Sequence, residues 1–201
     1  MALARTPPSA THDLPARRFA RPAEPLRLFR GGVIEQPVLA YECWGRLNEA
    51  RDNTILIFTG LSPSAHAASS PDDPRPGWWE TMIGEGRPLD TSRFFVVCVN
   101  SLGSPFGTSS PASTDPSTGR TYAIGFPEIA VEDIAVAGRA VIRTLGIERV
   151  AAVVGPSLGG MVVLAYCAQF PGEVDNLITI SGAASASPFA IALRSLQREM
   201  V

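Results

Sequence analysis

Apolar residues along this chain fall into two alternating patterns, continuous runs and helix-spaced positions. Four continuous runs, over residues 53–61, 94–100, 150–154 and 177–180, are rich in Val, Ile, Leu and Phe. Uninterrupted apolar runs of this kind are typical of strands that are buried on both faces of a sheet. Such strands occur mainly in parallel sheets, so the pattern favours a parallel sheet over an exposed antiparallel one.

Apolar residues at helical spacing lie between the later strand-like runs and after the last of them. Ile134, Ala137, Val141 and Leu145 recur at helical spacing and predict a helix over 129–145. Acidic residues near its start and a glycine after its end agree with the usual preferences of helix termini. Two further helices are expected, over 158–170 and from residue 188 onwards. Because strands alternate with helices, we expect an α/β fold, with a mostly parallel sheet and helices on both faces.

The chain before and between these elements has a different character. Residues 1–25 are rich in Pro, Arg and Ala and lack the apolar core of a signal peptide. They predict a flexible N-terminal tail ahead of one domain over 26–201. Apolar runs on both sides of the glycine pair at 31–32 favour antiparallel strands at the start of that domain. The loops 62–88 and 101–126 are long, and long loops inside a compact domain are usually functional or mobile.

Composition and charge mainly exclude certain classes of protein. The chain has 201 residues, of which 45% are hydrophobic and 18% charged, and its formal net charge is −2. These values suit a globular protein with a core and disfavour a nucleic-acid binder, which needs a basic surface. No apolar run approaches the roughly 20 residues of a membrane-spanning helix. Three widely spaced cysteines and two histidines show no metal-ligand spacing, so we expect no metal site and unpaired thiols in a cytoplasmic protein.

The most informative stretch joins the third strand-like run to the helix after it. Gly155-Pro156-Ser157-Leu158-Gly159 fits the pattern G-x-S-x-G between a buried strand and a helix. At such a junction a strained turn exposes the serine hydroxyl, and the neighbouring residues must be small because chain segments pass close together. Gly155 and Gly159 meet that requirement. The pattern therefore predicts Ser157 as a nucleophile.

A serine that accepts an acyl group also needs backbone N–H donors for the oxyanion. The N–H of Leu158 lies at the start of a helix, where free N–H groups and the helix dipole favour an anion. A second donor is expected from the loop after an earlier strand, and the N–H of Leu61 is the candidate. An idle serine in a glycine-rich turn and a phosphate-binding loop are the alternatives, although neither G-x-G-x-x-G nor Gly-Lys-Ser/Thr is present here.

Several blocks of sequence resemble one family beyond the serine motif. They are VLAYECWGRLNEARDNTILIFTGLSPSAHA, PGWWETMIGEGRPLDTSRFFVVCVNSLGSPFGTSSPAS and GIERVAAVVGPSLGGM. On these blocks, residues 26–201 are similar to the homoserine/serine O-acyltransferases of the α/β-hydrolase fold. Two segments, Thr59-Gly60-Leu61-Ser62-Pro63 and ISGAASASPFAIALRSLQRE, look most like the serine O-succinyltransferase branch.

The resemblance implies an enzyme that moves a succinyl or acetyl group from acyl-CoA to the hydroxyl of L-serine or L-homoserine. Ser157 would carry the acyl group, Leu61 and Leu158 would hold the oxyanion, and the segment 60–63 would set substrate specificity. Acyl-CoA is a co-substrate, and no cofactor is expected. The product would feed cysteine or methionine biosynthesis. Full-length members are expected to be homodimers that bind neither nucleic acid nor membranes. A homoserine O-acetyltransferase, an esterase and an inactive fragment stay open as alternatives.

The general base that Ser157 would need is not apparent in the sequence. A histidine oriented by Asp or Glu normally fills this role, and in this fold both follow the serine in the chain. The two histidines, His12 and His66, precede Ser157. His66 lies in a loop, where we expect local packing or hydrogen bonding. The chain also ends inside a helix-like run without a stop signal. We therefore expect an N-terminal portion of the fold that lacks the lid, the C-terminal strands, and the catalytic acid and base.

Overall fold

Strands and helices alternate through the described part of the chain, residues 14–200 of a computed structural model. The strands are β1 (Arg18–Ala20), β2 (Leu26–Arg27), β3 (Val33–Ile34), β4 (Leu39–Trp44), β5 (Thr54–Phe58), β6 (Ile83–Gly84), β7 (Leu89–Asp90), β8 (Phe95–Val99), β9 (Val150–Pro156) and β10 (Val174–Ile180). The helices are α1 (Val131–Thr144), α2 (Leu158–Gln169) and α3 (Pro188–Glu199), with a short 3-10 helix at Ala123–Gly125. Each longer strand and helix that the hydrophobic pattern predicts is present.

The main sheet has six strands in the order β1-β4-β8-β5-β9-β10. Strands β8, β5, β9 and β10 run parallel, and β4 pairs antiparallel with both β8 and β1. Strands β2 and β3 form a separate antiparallel pair around the glycines at 31–32. The mostly parallel sheet predicted from the alternating pattern is confirmed, and so is the antiparallel pair near the start.

The first strand of the sheet lies inside the stretch expected to be a tail. Arg18–Ala20 pairs with β4 in the register Arg18↔Tyr41 to Ala20↔Leu39, and the Ala20 side chain is buried. A strand of three residues is too short to show the alternating apolar pattern that predicts a strand, so its pairing with β4 becomes visible only in the structure. The ordered sheet therefore begins before residue 26, whereas residues 1–13 lie outside the described part.

Apolar side chains pack on both faces of the sheet. On one face, Leu56, Phe58 and Val153 pack with residues of α1 and α2. On the other face, alternate residues of the same strands pack against the long loop between β5 and β8. That loop contributes Ala65, Ala67, Ala68, Trp78 and Trp79. Over this part of the second face, a loop takes the place of the helix expected there.

Strand β10 contains the apolar run 177–180 and is the strand at one edge of the sheet in the described part of the chain. Leu177, Ile178 and Ile180 are 42%, 44% and 39% exposed. Helix α3 buries none of its residues and exposes Phe189, Ile191, Leu193 and Leu196. An unpaired strand edge beside exposed apolar side chains is a surface that pairs readily with another chain.

We expect the 201-residue chain to self-associate through this edge. Ile178→Lys should reduce the association with little loss of stability, because the side chain is already 44% exposed and a charge on an edge strand opposes pairing. Light scattering over a concentration series measures the effect. Ile124→Lys, at a fully exposed isoleucine far from β10 in sequence, is the control. A monodisperse monomer with a cooperative melt in the unsubstituted chain would contradict this expectation.

Candidate active site

Ser157 occupies the turn between β9 and α2. Its backbone is left-handed, with φ 54° and ψ −117°, which few residues other than glycine adopt. Such a conformation costs roughly 1–3 kcal/mol, and the surrounding structure has to hold it. Its N–H donates to the carbonyl oxygen of Ile180 at 2.8 Å, and its carbonyl oxygen accepts from the N–H of Met161 at 3.2 Å. The residue is exposed. The structure therefore contains the strained turn and the accessible serine expected at this junction.

Glycines allow the chain segments around the turn to approach closely. A Cβ at Gly155 would lie 2.3 Å from the carbonyl carbon of Gly159, and a Cβ at Gly159 would lie 2.2 Å from the carbonyl oxygen of Phe58. Gly160, which the sequence pattern did not single out, has the same constraint because its Cβ would lie 2.6 Å from Thr179 Oγ1. The three glycines let α2 pack directly on β5, β9 and the end of β10. The only signal for Gly160 in the sequence is its place next to Gly159.

A cavity of about 760 Å³ lies beside the start of α2. Leu61 and Ser62 line it from the loop after β5, and Leu158 lines it from α2. The structure thus brings both predicted oxyanion residues to one cavity, together with Ser62 of the segment 60–63. The other lining residues come from the long loop after β8 and from the start of α1: Ser101, Leu102, Gly103, Ser104, Pro105, Phe106, Pro111, Ala123, Ile124, Phe126, Pro127, Ile129 and Ile134. None of the lining residues is charged, so the cavity favours uncharged parts of a ligand.

His66 lies in a buried hydrogen-bonded network. Its Nδ1 is 2.9 Å from Glu42 Oε2, and its Nε2 is 2.9 Å from the carbonyl oxygen of Arg75. Both ring nitrogens are therefore engaged locally, which confirms the local role expected for this residue. His12 lies outside the described residues. Among residues 14–200, no histidine is placed to activate Ser157.

Glu42 is the buried partner of this histidine. Burial raises the pKa of its carboxyl group above the ordinary value, against the opposing effect of the hydrogen bond to His66. A carbonyl oxygen on one side of the ring and a carboxylate on the other are both acceptors. Both contacts are hydrogen bonds in either of two arrangements. Both ring nitrogens of His66 carry a proton, or the Glu42 carboxyl group carries one and donates it to Nδ1 while Nε2 carries the other.

Comparison with known proteins decides the family. A family profile described as alpha/beta hydrolase fold matches residues 53–199. The chain belongs to the α/β-hydrolase family. Over residues 14–200 of this α/β-hydrolase chain, no helix is long and apolar enough to cross a membrane. No group of three His, Cys, Asp or Glu side chains in that range is arranged to hold a metal ion.

Curated relatives support the more specific resemblance seen in the sequence. The chain is 56% identical over 186 residues to a serine O-succinyltransferase from Litchfieldella anticariensis, covering 92% of this chain and 51% of that protein. It is 54% identical over 187 residues to an L-serine/homoserine O-acetyltransferase from Streptomyces lavendulae, covering 93% and 50%. The resemblance to serine and homoserine O-acyltransferases is confirmed. The chain spans about half the length of these curated relatives.

Solved structures agree with the fold. Homoserine O-acetyltransferase from Bacillus anthracis is 32% identical with a TM-score of 0.73, and the match covers 84% of this chain and 47% of that one. Esterase E22 is 33% identical with a TM-score of 0.81, covering 90% and 51%. Transferases and hydrolases therefore share this part of the α/β-hydrolase fold.

An Asp–Arg pair secures the loop that carries His66 in this α/β-hydrolase chain. The Asp73 side chain is 1% exposed and accepts hydrogen bonds from Arg75 Nε at 2.8 Å and Nη2 at 2.6 Å. These bonds lower the pKa of the Asp73 carboxyl group from 3.8 to about 2. In the same loop, Trp78 Nε1 donates to the carbonyl oxygen of Ser64 at 2.9 Å. The loop is therefore held by side chains, although it contains little regular secondary structure.

Asp73→Asn should lower the stability of the fold above pH 4. Because the folded-state pKa of Asp73 is depressed, its contribution is present above the ordinary pKa of 3.8 and is lost as the pH falls towards 2. We expect the free energy of unfolding at pH 7 to fall by about 1–2 kcal/mol, a value reduced for the half-exposed Arg75. When the free energy of unfolding is measured from pH 7 to pH 2, it should fall less steeply at the acid end in the Asp73 variant than in the unsubstituted chain. Asp72→Asn, at the exposed neighbouring residue, is the control and should keep the acid dependence of the unsubstituted chain. Identical curves for the Asp73 variant and the unsubstituted chain would refute the role of the pair.

Proposed function

We propose that the whole protein is an acyltransferase that moves an acyl group from acyl-CoA to the hydroxyl of L-serine or L-homoserine. One observation carries the proposal. An exposed serine sits at a strained strand-to-helix turn, directly before Leu158, which lines the cavity, in a chain 56% identical to a serine O-succinyltransferase. The proposal concerns the whole protein because the present chain spans about half of such relatives.

The proposed reaction has two steps. Ser157 Oγ gives up its proton to a base and attacks the thioester carbonyl carbon, the carbon–sulfur bond breaks, and coenzyme A leaves as the protonated thiol. The acceptor hydroxyl then attacks the acyl-serine ester, and the proton it loses returns to Ser157. The N–H groups of Leu61 and Leu158 would hold the oxyanion in both steps. The base would come from outside residues 14–200.

Succinyl-CoA and L-serine are the substrates that we propose first. Several relatives at 52–56% identity are named serine O-succinyltransferase, and Thr59-Gly60-Leu61-Ser62-Pro63 resembles that branch. Acetyl transfer to serine or homoserine is the nearest alternative, because a relative with that name is 54% identical. We further propose a cytoplasmic homodimer that serves cysteine or methionine synthesis and needs no metal or bound cofactor.

An esterase is the second candidate function. Esterase E22 has a TM-score of 0.81 to this chain at 33% identity. Such an enzyme would use the same nucleophile and oxyanion donors, with water in place of the amino-acid hydroxyl as the acceptor. The two functions therefore differ in how well the site excludes water from the acyl-serine.

Thiol release from acyl-CoA separates these functions. The product of the complete gene is mixed with succinyl-CoA or acetyl-CoA in the presence of L-serine, L-homoserine or neither. We expect release to depend on the acceptor and to be fastest with succinyl-CoA and L-serine. Equal release without an amino acid would favour the esterase, and no release would contradict both functions. The 201-residue chain alone should release thiol slowly, because Ser157 has no base among the described residues.

A further inference from the structure

Two loops meet beside the cavity, at the carboxyl ends of neighbouring parallel strands. One follows β5 and supplies Leu61 and Ser62 to the lining, and the other follows β8 and supplies residues 101–106. Strand β9 lies on the other side of β5 and leads into Ser157. The carboxyl ends of parallel strands share one edge of a sheet, where open α/β sheets bind ligands. The relative placement of the two loops therefore sets the shape of the candidate site.

Asn100 joins these loops through both ends of its side-chain amide. Its Oδ1 accepts from the N–H of Ala65 at 2.5 Å, and its Nδ2 donates to the carbonyl oxygen of Phe106 at 2.8 Å. The residue is 3% exposed, and its own N–H donates to the carbonyl oxygen of Ala40 in β4 at 2.9 Å. The amide is therefore anchored to the sheet while it holds one loop on each side.

Leu61 lies between two such attachments. Before it, Thr59 Oγ1 is 3.2 Å from Ser101 Oγ, and after it Ala65 is bound to Asn100. Leu61 itself is 80% exposed, so packing of its own side chain does little to hold its backbone. The direction of the Leu61 N–H thus depends on the points that fix the segment at each end.

We infer that Asn100 is a positioning residue that holds the Leu61 N–H towards the cavity and keeps segment 101–106 in register with it. The inference rests on the proposed function, because Leu61 is the proposed oxyanion donor. Removing the amide leaves the buried N–H of Ala65 and the carbonyl oxygen of Phe106 without this partner. The Leu61 segment is then attached more loosely, and a misdirected oxyanion donor slows the chemical steps more than it weakens binding.

Asn53 offers a matched control at the opposite end of the sheet. Its Nδ2 donates to the carbonyl oxygens of Arg46 and Arg93, both at 3.0 Å, and its Oδ1 accepts from the N–H of Asn48 at 3.0 Å. It precedes β5, whereas the loop that bears Leu61 follows that strand. Asn53 therefore joins loops in the same way as Asn100 but far from the cavity.

Kinetics of the product of the complete gene test the inference. In Asn100→Ala we expect kcat for acyl transfer to fall about 10- to 100-fold, with KM for acyl-CoA changing less than about threefold. Asn53→Ala should lower Tm while kcat stays within about twofold. Equal losses of kcat in the two variants would overturn the positioning role. If the unsubstituted protein transfers no acyl group, the proposed function is refuted. Hydrogen exchange then tests the positioning role of Asn100 independently.

Hydrogen exchange in the 201-residue chain tests the same inference without catalysis. Asn100→Ala should speed exchange in both 59–66 and 101–106. Asn100→Asp keeps an acceptor for Ala65 but loses the donor to Phe106, so it should speed exchange mainly in 101–106. The aspartate variant also serves if the alanine variant does not fold. Unchanged exchange over 59–66 in Asn100→Ala, or equal acceleration of both segments in Asn100→Asp, would overturn the inference.

Discussion

Replacing Ser157 with alanine is expected to abolish acyl transfer by the whole protein, with kcat falling about 10⁴- to 10⁶-fold. The substitution removes the only oxygen that the proposed mechanism uses to form the acyl-enzyme. Alanine and serine meet the same steric constraint at φ 54°, so the turn should persist and Tm should change little. Thiol release from succinyl-CoA in the presence of L-serine measures the loss, and the unsubstituted protein should give a peptide containing Ser157 that carries the succinyl mass.

Ser181→Ala is a stringent control for this prediction. Ser181 follows β10, is exposed, and also has a left-handed backbone with φ 52°. Ser181→Ala therefore removes an exposed hydroxyl at a strained position but leaves the proposed nucleophile in place. The control should keep its rate within about twofold. A Ser157 variant that kept its rate within tenfold of the unsubstituted protein would show that acyl transfer does not pass through this oxygen.

The turn at Ser157 was predictable because its determinants are contiguous in the sequence. The strand, the glycines at 155 and 159, and the helix all lie within 150–170, and the close approach of Gly155 to Gly159 is local, although Gly159 also contacts the end of β5 at Phe58. The parallel sheet was predictable for a related reason, since continuous apolar runs report burial on both faces. Where a few neighbouring residues decide the geometry, pattern and structure agree.

Features that depend on distant partners could not be predicted in this way. Asn100 meets Ala65 across 35 residues, and His66 meets Glu42 across 24. No spacing in the sequence marks these pairs, because each arises only when the folded sheet brings distant parts of the chain together. The loop cover on the second face has a similar origin, since its alanines and tryptophans follow no helical or strand period. The general base could not be predicted for another reason: no histidine follows Ser157 among the 201 residues, so the sequence offers no candidate in the expected order.

Gly159→Ala is expected to destabilise the fold by about 3 kcal/mol or more, equivalent to roughly 10 °C in Tm. The added Cβ would lie 2.2 Å from the carbonyl oxygen of Phe58 and 2.8 Å from that of Thr59. Both are backbone atoms, so no side-chain rotation relieves the clash, and α2 has to move away from the end of β5. Thermal denaturation followed by circular dichroism measures the change.

Gly172→Ala separates this steric effect from the general effect of adding a methyl group. A Cβ at Gly172 meets nothing within 4 Å, so the variant should stay within about 1 kcal/mol of the unsubstituted chain. Displacing α2 from Phe58 and Thr59 also moves Leu158 relative to the loop that bears Leu61, which would separate the two proposed oxyanion donors. If Gly159→Ala melted like Gly172→Ala, α2 would not lie against β5 as described, and the close approach that brings both donors to one cavity would not exist.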